Sequence, residues 1–335
     1  MKSRAVMALA PWRVELVETV TPHPGPRDVV VDLDYSWISN GTEGSFIRGE
    51  RIAGDTPWRE GDPSPFPHVP GYQSVGRVRA LGDGVTGLTV GQTVFVAVGH
   101  VADCFFDYGG HLSPIVADHD FVWALPDGLD PLAASGAVLT QVGLNAGLRP
   151  EVHPHDAAVV IGDGLVGHWA AQTLRHRGAR VAMVGHHPDR LQLAPSASPH
   201  VTFNPRDVDL ISALTQWAPE GIQAVVHTAG PVVGIEALYP QMRRFGHVVS
   251  AGFVGPDGAM DVQRMRDPEL TLHAVAGWTR DRVTKTLEWL AAGHLQSLPL
   301  ITHRFPVAQA ADAYDLVLHR REPFLGVVLD WSPTL

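Results

Sequence analysis

Residues 157–168 read AAVVIGDGLVGH. Ala157 to Ile161 are small or β-branched apolar residues that suit a buried strand, and glycines stand at 162, 164 and 167. The pattern that follows, LVGHWAAQTLRHRG, is helical. A strand that turns into a helix through G-x-G-x-x-G is the dinucleotide fingerprint. The first glycine permits the tight turn, the second lets backbone approach a pyrophosphate, and the third lets helix pack on strand. The helix start adds unpaired N–H groups and the positive end of its dipole. Gly162, Gly164, Leu165, Val166 and Gly167 are therefore read as the phosphate grip. A glycine-rich structural turn is the competing reading, and the strand ARVAMVG that follows the helix favours the fingerprint.

Outward from this stretch, strand and helix patterns alternate after about Pro126: VTFN, DLISALTQWA, QAVVHTAG, GIEALYPQMRR, HVVSAGF. Such alternation means βαβ units and a parallel sheet. The second strand ends VGHHPDR, so Gly185 stands where an acidic residue would hold the ribose of NAD. With His186, His187 and Arg190 nearby, NADP(H) is expected over NAD(H), although the histidines could equally belong to a solvated loop. HTAGP (227–231) and SAGFVG (250–255) end later strands. Thr228, Ala229, Gly252 and Phe253 are expected to flank the nicotinamide and its ribose.

The first part of the chain reads as short strands, among them RDVVVDLDYSWI, SVGRVRAL and QTVFVAV, separated by Gly/Pro-dense turns, with an insert at 49–68. The fold class is α/β: a Rossmann doubly wound parallel sheet domain plus a β-rich domain. The expected boundaries are 1–125 plus about 295–335 for the β-rich domain and about 126–294 for the Rossmann domain, since DRVTKTLEWLAAGH (281–294) is an amphipathic helix and the tail adds a helix and a returning strand.

Length, 335 residues, suits two domains, and 45% apolar residues suffice for real cores. A net charge of -10 argues against nucleic acid. No apolar run reaches the roughly 18 residues of a membrane span, and charges interrupt the N-terminal apolar run too early for a signal peptide. Cys104 is the only cysteine, which excludes an intrachain disulfide and any cysteine-rich zinc site. A cytoplasmic location is expected.

The stretches ISNGTEGSF, PHVPGYQSVGRV, VIGDGLVGH and AADAYDLVLHRREPFLGVVLDW resemble those of the medium-chain dehydrogenase/reductase superfamily, in which a GroES-like catalytic domain is joined to a Rossmann domain. Within it, Ser39–Glu43, Pro70–Tyr72 and the AYD…VLDW ending resemble the bacteriochlorophyllide dehydrogenase branch. The resemblance implies hydride transfer between a nicotinamide and a carbonyl/alcohol carbon of a small organic substrate, secondary metabolites included. It also implies a homodimer or homotetramer.

Zinc-dependent members carry Cys-Gly-Thr-Asp and Gly-His-Glu where this chain has Asn40-Gly41-Thr42-Glu43 and Gly71-Tyr72-Gln73. The third ligand position falls near Leu139. A catalytic zinc needs three N, S or O protein ligands and an open position, so no metal is expected. His100, Cys104 and His111 lie close in sequence without a ligand spacing. Without a cation, hydrogen-bond donors must hold the charged oxygen and an acid must supply the proton. The resemblance assigns these tasks to Thr42 as a hydroxyl relay, Tyr72 as a phenol and Asn40 as an amide donor. Tyr72 could instead only fill the emptied cavity, and Thr42 could be a turn residue. Glu43 and Gln73 read as braces, and Trp37, Trp58 and Phe66 as a candidate apolar substrate surface or core. Two other functions remain open: reduction of a conjugated C=C bond, and NADPH binding without catalysis.

Overall fold

The computed structural model describes residues 1–332 apart from 55, 194–196, 231–234, 253–259 and 276. The chain forms two compact units, one of 1–138, 283–291 and 301–335, the other of 139–282 and 292–300.

The first unit is built mainly on antiparallel pairing, with Ile301–Pro306 and Gly326–Asp330 as a parallel pair. Lys2–Ala10 pairs with Arg13–Val20 and with the short strand Leu112–Ser113. In a larger sheet, Val122–Ala124, Thr93–Val96, Ser74–Leu81, Asp28–Trp37, Gly326–Asp330 and Ile301–Pro306 lie side by side in that order. The tail therefore pairs with an early strand: Val328 sits opposite Trp37 and Asp330 opposite Tyr35. Alternation decides the faces. Val29, Val31 and Leu33 of one strand join Val327 and Leu329 of another in a single core. Helix Ala310–His319 lays Ala310, Ala313, Tyr314 and Val317 into that core at helical spacing. It ends where Arg320 turns left-handed at φ 51°.

The second unit holds a parallel sheet in the order Val201–Phe203, Arg180–Val184, Ala157–Ile161, Ile222–His227, Met242–Ser250, Thr271–Ala274. This is the Rossmann order, and its direction of winding reverses between Ala157–Ile161 and Ile222–His227. Both faces are covered, which explains why AAVVI is apolar at every position. Ala158 and Val160 meet Ala170, Ala171 and Leu174 of helix Leu165–His176. Val159 meets Leu214 and Leu238 on the other side.

The helix read at GIEALYPQMRR is instead a 3-10 segment, Ile235–Gln241, followed by strand Met242–Ser250. Pro240 has no N–H and clashes with a preceding helical turn, so an α-helix cannot continue through it. Among the described residues, no helix is long and apolar enough to cross a membrane.

Candidate active site and cofactor site

The glycines of the turn divide by what surrounds them. Gly162 has φ +118°, and a β-carbon there would come within 2.5 Å of Thr228 Oγ1. A β-carbon on Gly167 would overlap the Gly162 carbonyl oxygen. These two are needed by the chain's own packing. Gly164 is different: at φ −87° and ψ 179° it caps helix Leu165–His176, and a β-carbon there would meet nothing within 4 Å. Nothing inside the protein requires it to be glycine, whereas a phosphate lying against the backbone would. Gly164, Leu165 and Val166 open the helix, where N–H groups have no intrahelical partner.

The other expected cofactor residues stand around this turn. Thr228 returns a hydroxyl to the Ile161 carbonyl at 3.0 Å and its N–H to the same oxygen at 2.8 Å. Gly252 donates its N–H to His227 O at 3.0 Å, and a β-carbon on it would overlap the Ala229 carbonyl oxygen. Thr228, Ala229 and Gly252 thus gather at neighbouring strand ends, with Thr228 and Ala229 half-buried. Phe253 lies outside the described residues.

At the ribose end the sequence reading overlooked a carboxylate. Gly185 follows strand Arg180–Val184 without a side chain, but Asp163 fills that place: a β-carbon on Gly185 would overlap Asp163 Oδ2. Asp163 accepts the His187 N–H at 2.8 Å and His187 Nδ1–H at 3.0 Å, and Arg190 Nη1 stands 3.9 Å away. His186 is exposed. The middle letter of G-x-G names no residue type, so only the fold reveals this acid.

In the first unit, Thr42 begins helix Thr42–Ile47, with Glu43 buried in its first turn. Glu43 collects donors from distant segments. Its Oε1 accepts Ser39 N–H at 2.7 Å, and its Oε2 accepts His111 Nε2–H at 3.0 Å and the Tyr314 hydroxyl. Ser36 Oγ accepts Trp331 Nε1–H at 2.8 Å and lies 2.8 Å from His111 Nδ1. The indole can only donate, so Ser36 Oγ accepts from Trp331, and His111 bridges Ser36 and Glu43 through its two ring nitrogens. Gly71 packs on the His111 ring, where a β-carbon would come within 2.6 Å. His111 enters here as a bridge rather than as a metal ligand, and Ser36, Ser39, Tyr314 and Trp331 join the site with no local sequence pattern to mark them.

The pinned Ser39 receives Tyr72. The phenol donates to Ser39 Oγ at 2.5 Å. Burial, then the neighbouring Glu43 charge, outweigh the hydroxyls of Ser39 and Thr42 and push the Tyr72 phenol up to about 12. Burial and the same carboxylate also push Tyr314 upward. Tyr72 is therefore a neutral donor throughout the neutral range.

The remaining expected residues take the following places. Asn40 gives one of its two amide N–H groups to the Leu325 carbonyl at 2.6 Å, which anchors the tail segment, and its buried Oδ1 is unpartnered. Trp37 is wholly buried and is core, whereas Trp58 is exposed and Phe66 half-buried against His68.

The residues also fail to fit a catalytic zinc. Asn40 offers only a neutral amide oxygen, Tyr72 resists ionisation, and Leu139 has no donor atom. Among the described residues, the grouping close enough to share an ion is Asp118, His119 and Asp120, and Arg27 already binds both carboxylates at 2.9 and 2.8 Å.

Two family models match the chain: an alcohol dehydrogenase GroES-like domain over residues 25–127 and a zinc-binding dehydrogenase domain over 166–292. Over 352 residues, the chain is 28% identical to the 2-desacetyl-2-hydroxyethyl bacteriochlorophyllide A dehydrogenase of Rhodobacter capsulatus, covering 99% of each protein. The fold matches a Sinorhizobium meliloti 1021 structure described as a zinc-binding dehydrogenase bound to NADP (TM-score 0.83, 17% identity, 98% and 99% of the two chains). It also matches an Escherichia coli CFT073 short chain alcohol dehydrogenase complexed with NADH (TM-score 0.84, 18% identity, 98% and 99% covered). At such identities these two likenesses speak for the fold alone.

Proposed function

The chain belongs to the medium-chain dehydrogenase/reductase superfamily, and from that premise we propose that it is a zinc-independent, nicotinamide-dependent oxidoreductase acting on a carbonyl/alcohol carbon of a small organic substrate. A bound dinucleotide supplies or takes up the hydride. The observation that carries the reading is Tyr72: a phenol kept neutral and fixed on Ser39, at the position where a metal ligand stands in zinc-dependent members. In the reducing direction Tyr72 turns its hydroxyl proton from Ser39 Oγ to the substrate oxygen and gives it up there, and the Ser39 and Thr42 hydroxyls then donate to the phenolate left behind. Glu43, held by His111 and Tyr314, keeps Ser39 in place for that exchange. Asn40 supports the Leu325 segment with one amide N–H and has its second to offer the substrate oxygen.

NADP(H) is the proposed preferred cofactor over NAD(H), on the strength of Arg190 and His187 beside a Gly185 that carries no acid of its own. A cytoplasmic homodimer is proposed, with the exposed edge strand Thr271–Ala274 as the pairing element. Turnover of a panel of ketones and enones with NADPH tests the chemistry. Ketone reduction is the expected result. Reduction of enones alone would assign the C=C chemistry instead, and tight NADPH binding without any turnover would leave a binding protein.

A further inference from the structure

Asp163 lies inside the phosphate-binding turn yet points away from the task the turn is known for. Strand ends Ile161 and Val184 are register partners in the parallel sheet, so the residues just beyond them meet. The Asp163 side chain comes to rest over Gly185, 5% exposed, with His187 donating to it twice and Arg190 at its edge. In Rossmann folds the end of the second strand is where a carboxylate meets the adenosine ribose. This chain has deleted that acid at Gly185 and placed another in the same space from a different segment.

The chemistry follows from counting lone pairs. A carboxylate offers about four acceptor sites, and His187 N–H and Nδ1–H use part of them. A ribose 2′-hydroxyl, which can donate, suits what is left. A 2′-phosphate, which carries charge of the same sign, does not. Arg190 and His187 pull the other way. We propose that Asp163 sets the cofactor discrimination of this site: its carboxylate accepts the 2′-hydroxyl of NAD(H) and opposes the 2′-phosphate that Arg190 and His187 attract. Asp163 thus holds the preference for NADP(H) to a small margin. This rests on the dinucleotide reading of the turn.

The test is titration of the full-length protein with NADH and with NADPH, followed by calorimetry, for wild type and Asp163→Asn. The expected result is a rise of about tenfold or more in the NADPH-to-NADH affinity ratio, NADH weakening while NADPH tightens, as loss of one charged partner implies. The ratio is the decisive readout, because a merely structural role would weaken both nucleotides together. Gly185→Ala is the second variant: its β-carbon would displace the carboxylate, and the ratio is expected to rise in the same way. Should Asp163→Asn fail to fold, the Gly185→Ala ratio decides. Binding of both nucleotides with the ratio unchanged, or moved toward NADH, overturns the proposal. Failure of wild type to bind either nucleotide removes the dinucleotide reading itself, and the proposal with it.

Discussion

The nucleotide turn and the Tyr72 site are built in opposite ways. The turn is one contiguous run, residues 161–167, whose function lies in its backbone: N–H groups at a helix start and space at Gly164. The Tyr72 site is gathered from Ser36, Ser39, Glu43, His111, Tyr314 and Trp331, and its function lies in side chains that find one another only after folding. Backbone chemistry imposes local rules on sequence, because glycine alone tolerates the required φ angles and close approaches. Side-chain networks impose no such local rule.

The contrast is most easily broken at Tyr72. Tyr72→Phe keeps the ring and removes only the phenol, so the second unit and its nucleotide binding are expected to stay intact. Meanwhile kcat for ketone reduction falls roughly 100- to 10,000-fold, the range for loss of a positioned acid. Unchanged kcat with wild-type pH behaviour would return Tyr72 to a packing role. A smaller effect is expected in the turn, where two glycines separate fold from function. Gly164→Val should weaken NADPH by about 100-fold with little change in melting temperature, since a side chain there would meet only a ligand. Gly167→Ala should instead lower the melting temperature, because its β-carbon would overlap the Gly162 carbonyl. Equal loss of stability in both variants would erase the distinction.

The two regions also answer to opposite ends of the pH scale. His168, buried in the first turns of the nucleotide helix, is lowered by burial to about 4 from the ordinary 6.5. Protonation then favours the unfolded chain. The stability this group contributes is complete above pH 6.5 and is lost as pH falls toward 4, about 3 kcal/mol at most. Tyr72 works in reverse. Its phenol form is favoured in the fold, so that contribution is complete below pH 10 and is lost as pH rises toward 12. Urea denaturation across pH checks both: His168→Leu should flatten the acid limb and Tyr72→Phe the alkaline one. Smallest is the effect at the ribose end. Arg190→Glu should weaken NADPH about tenfold more than NADH. Equal weakening would remove Arg190 from 2′-phosphate recognition.

The same contrast explains what could be read from the sequence. The alternation of strands and helices, the β-rich first part and the strand–glycine turn–helix at 157–168 are legible, since each repeats a period or a glycine spacing within one short window. The helix read through GIEALYPQMRR failed at Pro240, a breaker that periodicity does not weigh. Thr42 and Tyr72 came from a resemblance, but Ser39, which holds the phenol, did not. The bonds that tie Glu43 to His111 and Tyr314 join positions far apart in the chain, with no local pattern to announce them. The bond from the Asn40 amide to Leu325 O likewise joins positions far apart in the chain. Asp163 is hidden in the sequence because the fingerprint leaves its position open, and its carboxylate fills the space over Gly185.

The central claim is that a phenol and its hydroxyl neighbours, rather than a cation, hold the reacting oxygen. Elemental analysis of purified protein, made on the same sample whose ketone reduction is measured before and after a strong chelator, tests it most directly. Zinc far below one per chain and a rate that the chelator leaves unchanged are expected. One zinc per chain, with activity lost on its removal and regained on its return, would contradict it.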